Sequence, residues 1–134
     1  MKCLIVEDDF ISRKLLHTYL ADSADCYVAS DEREAVEAFS EALAADQPYD
    51  LICLDIMMPG MGGREALTEI RRIEEEHSIG GLDGVKVIMT TALDDSTNIF
   101  GAFREGCEAY VVKPICKEKL LAEIDKLGLF ASNS

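Results

Sequence analysis

The chain has no tryptophan, two histidines and three prolines among its 134 residues. It also lacks long apolar runs: none approaches the roughly 20 residues that a membrane-spanning helix needs, so we expect no membrane insertion. The short apolar run after Met1 meets acidic residues at once, unlike a secretory signal peptide. His17 and His77 stand alone, which argues against a histidine metal site. These absences predict a cytoplasmic protein.

Basic residues are also scarce. Lys and Arg number 13 against 26 Asp and Glu, a formal net charge of −13. Nucleic-acid binding needs clustered Lys and Arg for the phosphates, so we expect no nucleic-acid partner. The same charge argues against anionic membrane surfaces. The five cysteines are odd in number and have no close pair, which favours reduced thiols over disulfides or a zinc site.

Apolar strand-like runs alternate with amphipathic helical segments along the whole chain. Such alternation predicts an α/β domain with a parallel sheet over residues 1–130, followed by a frayed tail at 131–134. Asp31 and Glu34 predict a capping box, and Gly106 a left-handed helix stop. The expected strands lie near 2–6, 26–30, 50–54, 85–90 and 108–112, and the expected helices near 10–22, 32–45, 63–76, 95–105 and 117–129.

Four of the apolar runs end in residues that carry chemistry. They lead into Glu7-Asp8-Asp9, Asp55, Thr90-Thr91 and Lys113-Pro114. The carboxyl ends of parallel strands meet at one edge of a sheet, where ligands bind in such folds. The sequence therefore predicts carboxylates, a hydroxyl and an ammonium at one edge, a set that suits a divalent cation and a phosphoryl group.

Each side chain has a chemical role in this interpretation. Asp55 is the best candidate for a nucleophile that takes a phosphoryl group as an aspartyl phosphate. Lys113 would neutralise one phosphoryl oxygen, and Thr91 would donate to another. Carboxylates from two strand ends would supply part of a magnesium shell, and a cation would relieve the repulsion among Glu7, Asp8 and Asp55.

The chain resembles the receiver domain of two-component response regulators, single-domain chemotaxis regulators included, over essentially its full length. The motifs that carry the resemblance are LIVEDD at 4–9, LDIMMPGMGG at 54–63, MTTA at 89–92 and YVVKP at 110–114. The resemblance implies a flavodoxin-like, doubly wound (βα)5 fold with five parallel strands in the order 2-1-3-4-5.

The resemblance also implies a metal site and a phosphoacceptor. Asp55 corresponds to the phosphoacceptor and is a metal ligand, as is Asp8. Glu7 acts on the metal indirectly, and Met57 contributes its backbone carbonyl. The implied cofactor is Mg²⁺, for which Mn²⁺ substitutes.

The remaining motif residues belong to the family's switch. Thr91 and Tyr110 correspond to its coupled pair, and Lys113 and Pro114 to residues joined by a cis bond. Phosphorylation is expected to reshape a surface formed by the helix near 95–105, the strand with Tyr110 and the last helix. That surface would include Phe103 and Lys119.

The implied function is a signalling switch rather than a conventional enzyme. Its partners would be a sensor histidine kinase or a histidine phosphotransfer protein as donor, and a downstream protein target. It would catalyse its own phosphorylation and its own dephosphorylation. The dephosphorylation would be slow, because Met57 and Leu93 cannot orient the attacking water molecule by hydrogen bonding. We recognise no output domain after residue 130, so we expect the domain to act through another protein or to be part of a longer chain.

Three departures from the family pattern and three alternatives stay open. Gly62 stands where Asp is frequent, Cys116 where a helix cap is usual, and the loop at 77–84 is long.

One alternative is a flavodoxin-like FMN carrier, although the acidic loop after the first strand would repel its phosphate. A haloacid-dehalogenase-type phosphatase would need an Asp where Met57 stands. The last is a degenerate receiver that only binds protein.

Overall fold

The computed structural model describes residues 1–56, 63–79, 83–91 and 106–129. Within these residues there are five strands and four helices. In chain order they are β1 (Lys2–Val6), α1 (Phe10–Leu20), β2 (Asp25–Ala29), α2 (Glu32–Ala44), β3 (Leu51–Asp55), α3 (Gly63–Glu76), β4 (Lys86–Thr91), β5 (Ala109–Val112) and α4 (Lys117–Lys126). The helix expected near 95–105 and the tail at 131–134 lie outside the described residues.

The five strands form one parallel sheet in the order β2-β1-β3-β4-β5. This confirms the predicted α/β fold and its strand order. β3 is the middle strand, and all five of its residues are buried. A strand covered on both faces needs no polar alternation, which explains why Leu51-Ile52-Cys53-Leu54 reads as a continuous apolar run.

Side chains alternate between two cores on opposite faces of the sheet. One core packs β-strand residues such as Leu4 and Leu54 against Phe39 of α2 and Leu67 of α3. The other packs residues such as Ile5, Cys53 and Ile88 against Leu16 of α1 and Leu120 of α4. All five cysteines are free thiols. None of the helices in the described ranges is both long and apolar enough to cross a membrane.

Local signals explain where two of the four described helices begin. The Asp9 side chain caps α1 by accepting from Ser12 N at 2.9 Å. Asp31 caps α2 by accepting from Glu34 N at 2.8 Å. The return bond of the predicted capping box differs, because Glu34 Oε2 accepts from the backbone and hydroxyl of Ser30, not from Asp31 N. Cys116 at the start of α4 makes no side-chain cap.

Most elements differ from the predictions by one to three residues at one or both ends, and three of these boundaries have a visible local cause or consequence. α1 ends at Leu20 rather than 22, where Ser23 N and Ala24 N both bond to the Leu20 carbonyl and turn the chain into β2. β2 begins at Asp25, one residue earlier than predicted. α4 ends at Lys126 and is followed by Gly128 with φ of 81°, whereas the apolar pattern continues to Leu129.

Arg71 of α3 ties the amino ends of β4 and β5 together, at the sheet edge away from Asp55. Its guanidinium donates to the carbonyls of Gly106 at 2.7 Å and Val85 at 2.9 Å. It also pairs with Glu74 at 2.7 Å and with Glu108 at 2.9 Å. Both carboxylates accept backbone N–H groups of β4 or the residue before it. This network fixes α3 against the sheet.

Candidate functional site

The carboxyl edge of the sheet brings the predicted side chains together. β1 is followed by Glu7 and Asp8, β3 ends in Asp55, and β5 is followed by Lys113. Since the strands are parallel, these positions share one edge. Glu7 has no exposed surface and Asp55 is 4% exposed, whereas Asp8 is exposed. The site is therefore open on the side of Asp8.

The three acids form the one group in the described ranges with metal-ligand spacing. One carboxylate oxygen from each of Glu7, Asp8 and Asp55 lies within 4.8 Å of the other two. Oxygen donors of this kind are what magnesium prefers, and exposed Asp8 leaves room for the waters that the ion retains. The donor set therefore fits a hard divalent cation.

Lys113 closes the site from β5. Its Nζ lies 2.9 Å from Glu7 Oε2 and 3.4 Å from Asp55 Oδ2. Burial works against the ammonium, yet the hydrogen bond with Glu7 and the charge of Asp55 raise the pKa of Lys113. The lysine therefore stays charged at neutral pH. Its backbone is fixed as well, since Lys113 N donates to the Thr91 carbonyl at 2.7 Å.

The carboxyl group of Glu7 is strongly perturbed by its surroundings. Burial raises its pKa to about 7, the hydrogen bond from Lys113 opposes that rise, and the charge of Asp55 adds to it. The backbone N–H of Asp9 donates to Glu7 Oε1 at 3.1 Å. A cation that neutralises the neighbouring carboxylates would favour the ionised form of Glu7.

Asp9 has a different structural role from Glu7 and Asp8. Its side chain is engaged in capping α1, and the hydrogen bond from Ser12 N lowers its pKa. Asp9 therefore belongs to the start of α1, whereas the clustered carboxylates are those of Glu7, Asp8 and Asp55.

The two residues expected to form a switch lie on neighbouring strands. Thr91 is the last residue of β4 and is 1% exposed, whereas Tyr110 of β5 is 40% exposed. Tyr110 pairs in register with Met89, two residues before Thr91. Because side chains alternate along a strand, Thr91 and Tyr110 lie on the same face of the sheet, one step apart. Their placement suits a coupled movement.

Gly63 at the start of α3 approaches the backbone of Asp55 very closely. A Cβ at this position would lie 2.1 Å from the Asp55 carbonyl oxygen and 2.8 Å from Ile56 Cα. Gly63 N also donates to the Ile56 carbonyl at 3.0 Å. Only glycine permits this contact. Gly63 lies within the motif at 54–63, but nothing in that motif by itself predicts this close contact.

The remaining predictions concern one peptide bond and three residues outside the described ranges. The Lys113–Pro114 peptide bond is cis. Met57, expected to offer its carbonyl to the metal, lies outside the described residues, as do Leu93 and Phe103.

The chain is similar in sequence to known proteins along most of its length. A family model described as the response regulator receiver domain matches residues 3–125. The transcriptional regulatory protein ResD of Bacillus subtilis is 32% identical over 133 residues, which are 99% of this chain and 50% of ResD. SrrA of Staphylococcus aureus, also a transcriptional regulatory protein, is 32% identical over 125 residues, covering 92% of this chain and 46% of SrrA. The chain spans about half the length of these curated relatives.

Solved structures resemble the chain over nearly its whole length. The receiver domain of Ssk1 from Saccharomyces cerevisiae, solved with the histidine phosphotransfer signalling protein Ypd1, has a TM-score of 0.81 at 25% identity, covering 98% of this chain and 90% of that one. The Vibrio cholerae chemotaxis protein CheY4 has a TM-score of 0.75 at 24% identity, covering 94% of this chain and 97% of that one. At 24% identity, the likeness to CheY4 concerns the fold alone.

Proposed function

The chain belongs to the family of response regulator receiver domains, and we propose that it is a switch that accepts a phosphoryl group on Asp55 from a phosphohistidine donor. One observation carries this proposal. The nearly buried carboxylate of Asp55 lies 3.4 Å from the Lys113 ammonium and within 4.8 Å of oxygens from Glu7 and Asp8.

Phosphoryl transfer would use the Asp55 carboxylate as nucleophile. One of its oxygens attacks phosphorus, so that a P–O bond forms while the P–N bond of phosphohistidine breaks. The electron pair of that bond goes to the histidine ring, which takes up a proton. Lys113 moves from Glu7 towards the transferred group and neutralises one of its oxygens.

The acidic residues would hold the cofactor. Magnesium, or manganese with its similar preference for oxygen ligands, would bind Asp8, Asp55 and the Met57 carbonyl, with Glu7 acting indirectly. The ion, when bound, supplies positive charge that lets the anionic donor approach a cluster of carboxylates. In its absence, the repulsion among these acids opposes the reaction.

Output would pass through Thr91 and Tyr110. Thr91 moves towards a phosphoryl oxygen, and Tyr110 turns inward into the space released. Tyr110 lines a groove between β5 and α4 together with Val112, Lys119 and Ala122. This change would present a different surface to a downstream protein. The curated relatives are transcriptional regulators, so a transcriptional target is one form that this partner takes.

The donor would dock beside the acidic site on α1. Phe10, Ile11 and Leu15 are 64%, 68% and 37% exposed, and they follow the acidic residues directly. The Arg13 guanidinium lies 5.7 Å from the Phe10 ring centroid. An apolar patch next to the phosphoacceptor suits the helical surface of a histidine phosphotransfer protein, the kind of partner bound by the Ssk1 receiver domain.

The deciding experiment is phosphorylation by acetyl phosphate and magnesium, followed by intact mass. Wild type should gain one phosphoryl group and Asp55→Asn none. Asp22→Asn, which changes an exposed aspartate away from the site, is the matched control and should be labelled like wild type. Undiminished labelling of Asp55→Asn would refute the assignment. Labelled protein should lose the phosphoryl group slowly, because Met57 and Leu93 cannot orient an attacking water molecule.

The docking proposal has its own test. Ile11→Ser should slow transfer from phosphorylated Ypd1, used as a representative donor, and leave labelling by acetyl phosphate unchanged. Val28→Ser is the control, since Val28 is 47% exposed on β2. Equal slowing in both variants, or in neither, would remove α1 as the docking surface.

A further inference from the structure

Thr90, next to the expected switch residue, carries a buried hydroxyl without a visible use. The residue has no exposed surface. Its Oγ1 finds no hydrogen-bond partner within the parts of the chain that the structure describes. Buried polar groups in folded proteins are nearly always paired, because leaving one unpaired costs stability. A hydroxyl kept here points to a state of the protein in which it has a partner.

The sheet register places Thr90 beside the phosphoacceptor. Thr90 pairs with Asp55 of β3 on one side and with Val111 of β5 on the other. Register partners in a sheet project from the same face, and Val111 belongs to the core covered by α1 and α4. Thr91 lies on the opposite face. Thr90 and Thr91 therefore approach the site from different sides.

Lys113 has to pass over Thr90 to reach its partners. Lys113 follows Val111 by two residues and continues the same face, whereas Asp55 lies two strands away, with β4 between them. Neighbouring strands are about 4.8 Å apart, so the lysine side chain crosses the strand that carries Thr90. Its ammonium then reaches Asp55 at 3.4 Å and, beyond it, Glu7 at 2.9 Å.

We propose that Thr90 is a positioning residue for Lys113, and that its hydroxyl accepts a hydrogen bond from the ammonium when the site is phosphorylated. The proposal rests on the phosphoryl transfer to Asp55 proposed above. An ammonium has three N–H donors. When Lys113 turns from Glu7 to a phosphoryl oxygen, that oxygen takes the N–H that faced Glu7, and Thr90 is the group placed to accept from another N–H of the ammonium. The pair would hold Lys113 over the phosphoryl group.

The test compares beryllofluoride binding with thermal stability in three proteins. Beryllofluoride with magnesium mimics the phosphoryl group and is titrated into wild type, Thr90→Val and Thr90→Ser, with fluorine NMR as readout. Thr90→Val keeps the shape and removes the hydroxyl, so its affinity should fall about tenfold, or 1.4 kcal/mol. Thr90→Ser restores the hydroxyl and should recover most of that affinity.

Stability without ligand should rank the two variants in the opposite order. Valine removes an unpaired buried hydroxyl and should raise the Tm above that of wild type. Serine removes a buried methyl group and should lower it. A role in packing alone would make affinity follow stability. The proposal instead requires the least stable variant to bind well and the most stable one to bind poorly.

Several results would overturn the proposal. They are an affinity of Thr90→Val within twofold of wild type, equal weakening in both variants, or a Tm of Thr90→Val below wild type. Each of these leaves Asp55 as the phosphoacceptor if wild type binds beryllofluoride and Asp55→Asn does not. If wild type itself fails to bind, the proposed function fails, and the inference about Thr90 fails with it.

Discussion

The Lys113 ammonium lies 2.9 Å from Oε2 of Glu7, a carboxylate with no exposed surface. This contact is shorter than the 3.4 Å distance between Lys113 and Asp55, the proposed phosphoacceptor. In this structure, the lysine is therefore paired most closely with an acid of the candidate metal site. Glu7 and Lys113 restrain each other, and a cation or a phosphoryl group would change both.

Glu7 should make the stability of the magnesium-free protein depend on pH. Its pKa rises from 4.5 to about 7 on folding, so the folded state holds a proton that the unfolded state releases. The resulting stabilisation is fully present below pH 4.5 and is lost as pH rises through about 7. For a shift of this size it amounts to at most about 3 kcal/mol.

Thermal unfolding in EDTA between pH 5 and 8 measures this effect, and Glu7→Gln is the control that cannot titrate. Wild type should lose more stability across the range than Glu7→Gln. Magnesium should reduce the loss in wild type, because the ion favours the ionised acids. Parallel pH profiles for the two proteins would mean that Glu7 is not the titrating group.

Magnesium binding should depend on Asp8 and not on its neighbour Asp9. Asp8→Asn and Asp9→Asn each remove one negative charge, but Asp9 is engaged in capping α1, and asparagine caps equally well. We expect Asp8→Asn to lose more than about tenfold in magnesium affinity, since even outer-shell changes cost that much. Asp9→Asn should stay close to wild type. NMR titration with magnesium measures both, and equal losses would indicate a general charge effect.

Gly63 should be intolerant of any side chain, and the reason should be steric. Alanine at this position would place its Cβ 2.1 Å from the Asp55 carbonyl oxygen. Gly128→Ala is the control: Gly128 has φ of 81°, but nothing lies within 4 Å of its added Cβ. Gly128→Ala should cost about 1 kcal/mol from backbone strain, and Gly63→Ala about 3 kcal/mol or more.

The two glycine variants should also differ in function. Shifting the Asp55 backbone should reduce the rate of labelling by acetyl phosphate in Gly63→Ala, while Gly128→Ala labels like wild type. Urea unfolding and intact mass measure the two effects under conditions in which both variants are folded. Normal labelling of Gly63→Ala would show that α3 can move away without disturbing Asp55.

The site's location was predictable from sequence, whereas its internal pairing was not. Buried parallel strands appear as apolar runs, and the residue after each run must lie at the carboxyl edge, which places Asp55 and Lys113 without any structure. The preference of Lys113 for Glu7 depends on side-chain paths across two intervening strands. The contacts of Arg71 depend on carbonyls 14 and 35 residues away, which no local pattern encodes.

Thr91 should couple phosphorylation to the surface around Tyr110. The phosphoryl group shifts an equilibrium only as far as it interacts differently with the two states, and a swing from 1:99 to 99:1 requires about 5.5 kcal/mol. Thr91→Ala removes the hydroxyl that we propose to bind the phosphoryl group and leaves Asp55, Asp8 and Lys113 in place. It should therefore still accept phosphate but respond weakly at β5 and α4. Amide chemical-shift changes on adding beryllofluoride with magnesium are the readout.

Thr18→Ala, which changes an exposed threonine of α1, is the control for Thr91→Ala and should respond like wild type. If Thr91→Ala shows the wild-type shifts at Tyr110 and along α4, the signal reaches this surface without Thr91.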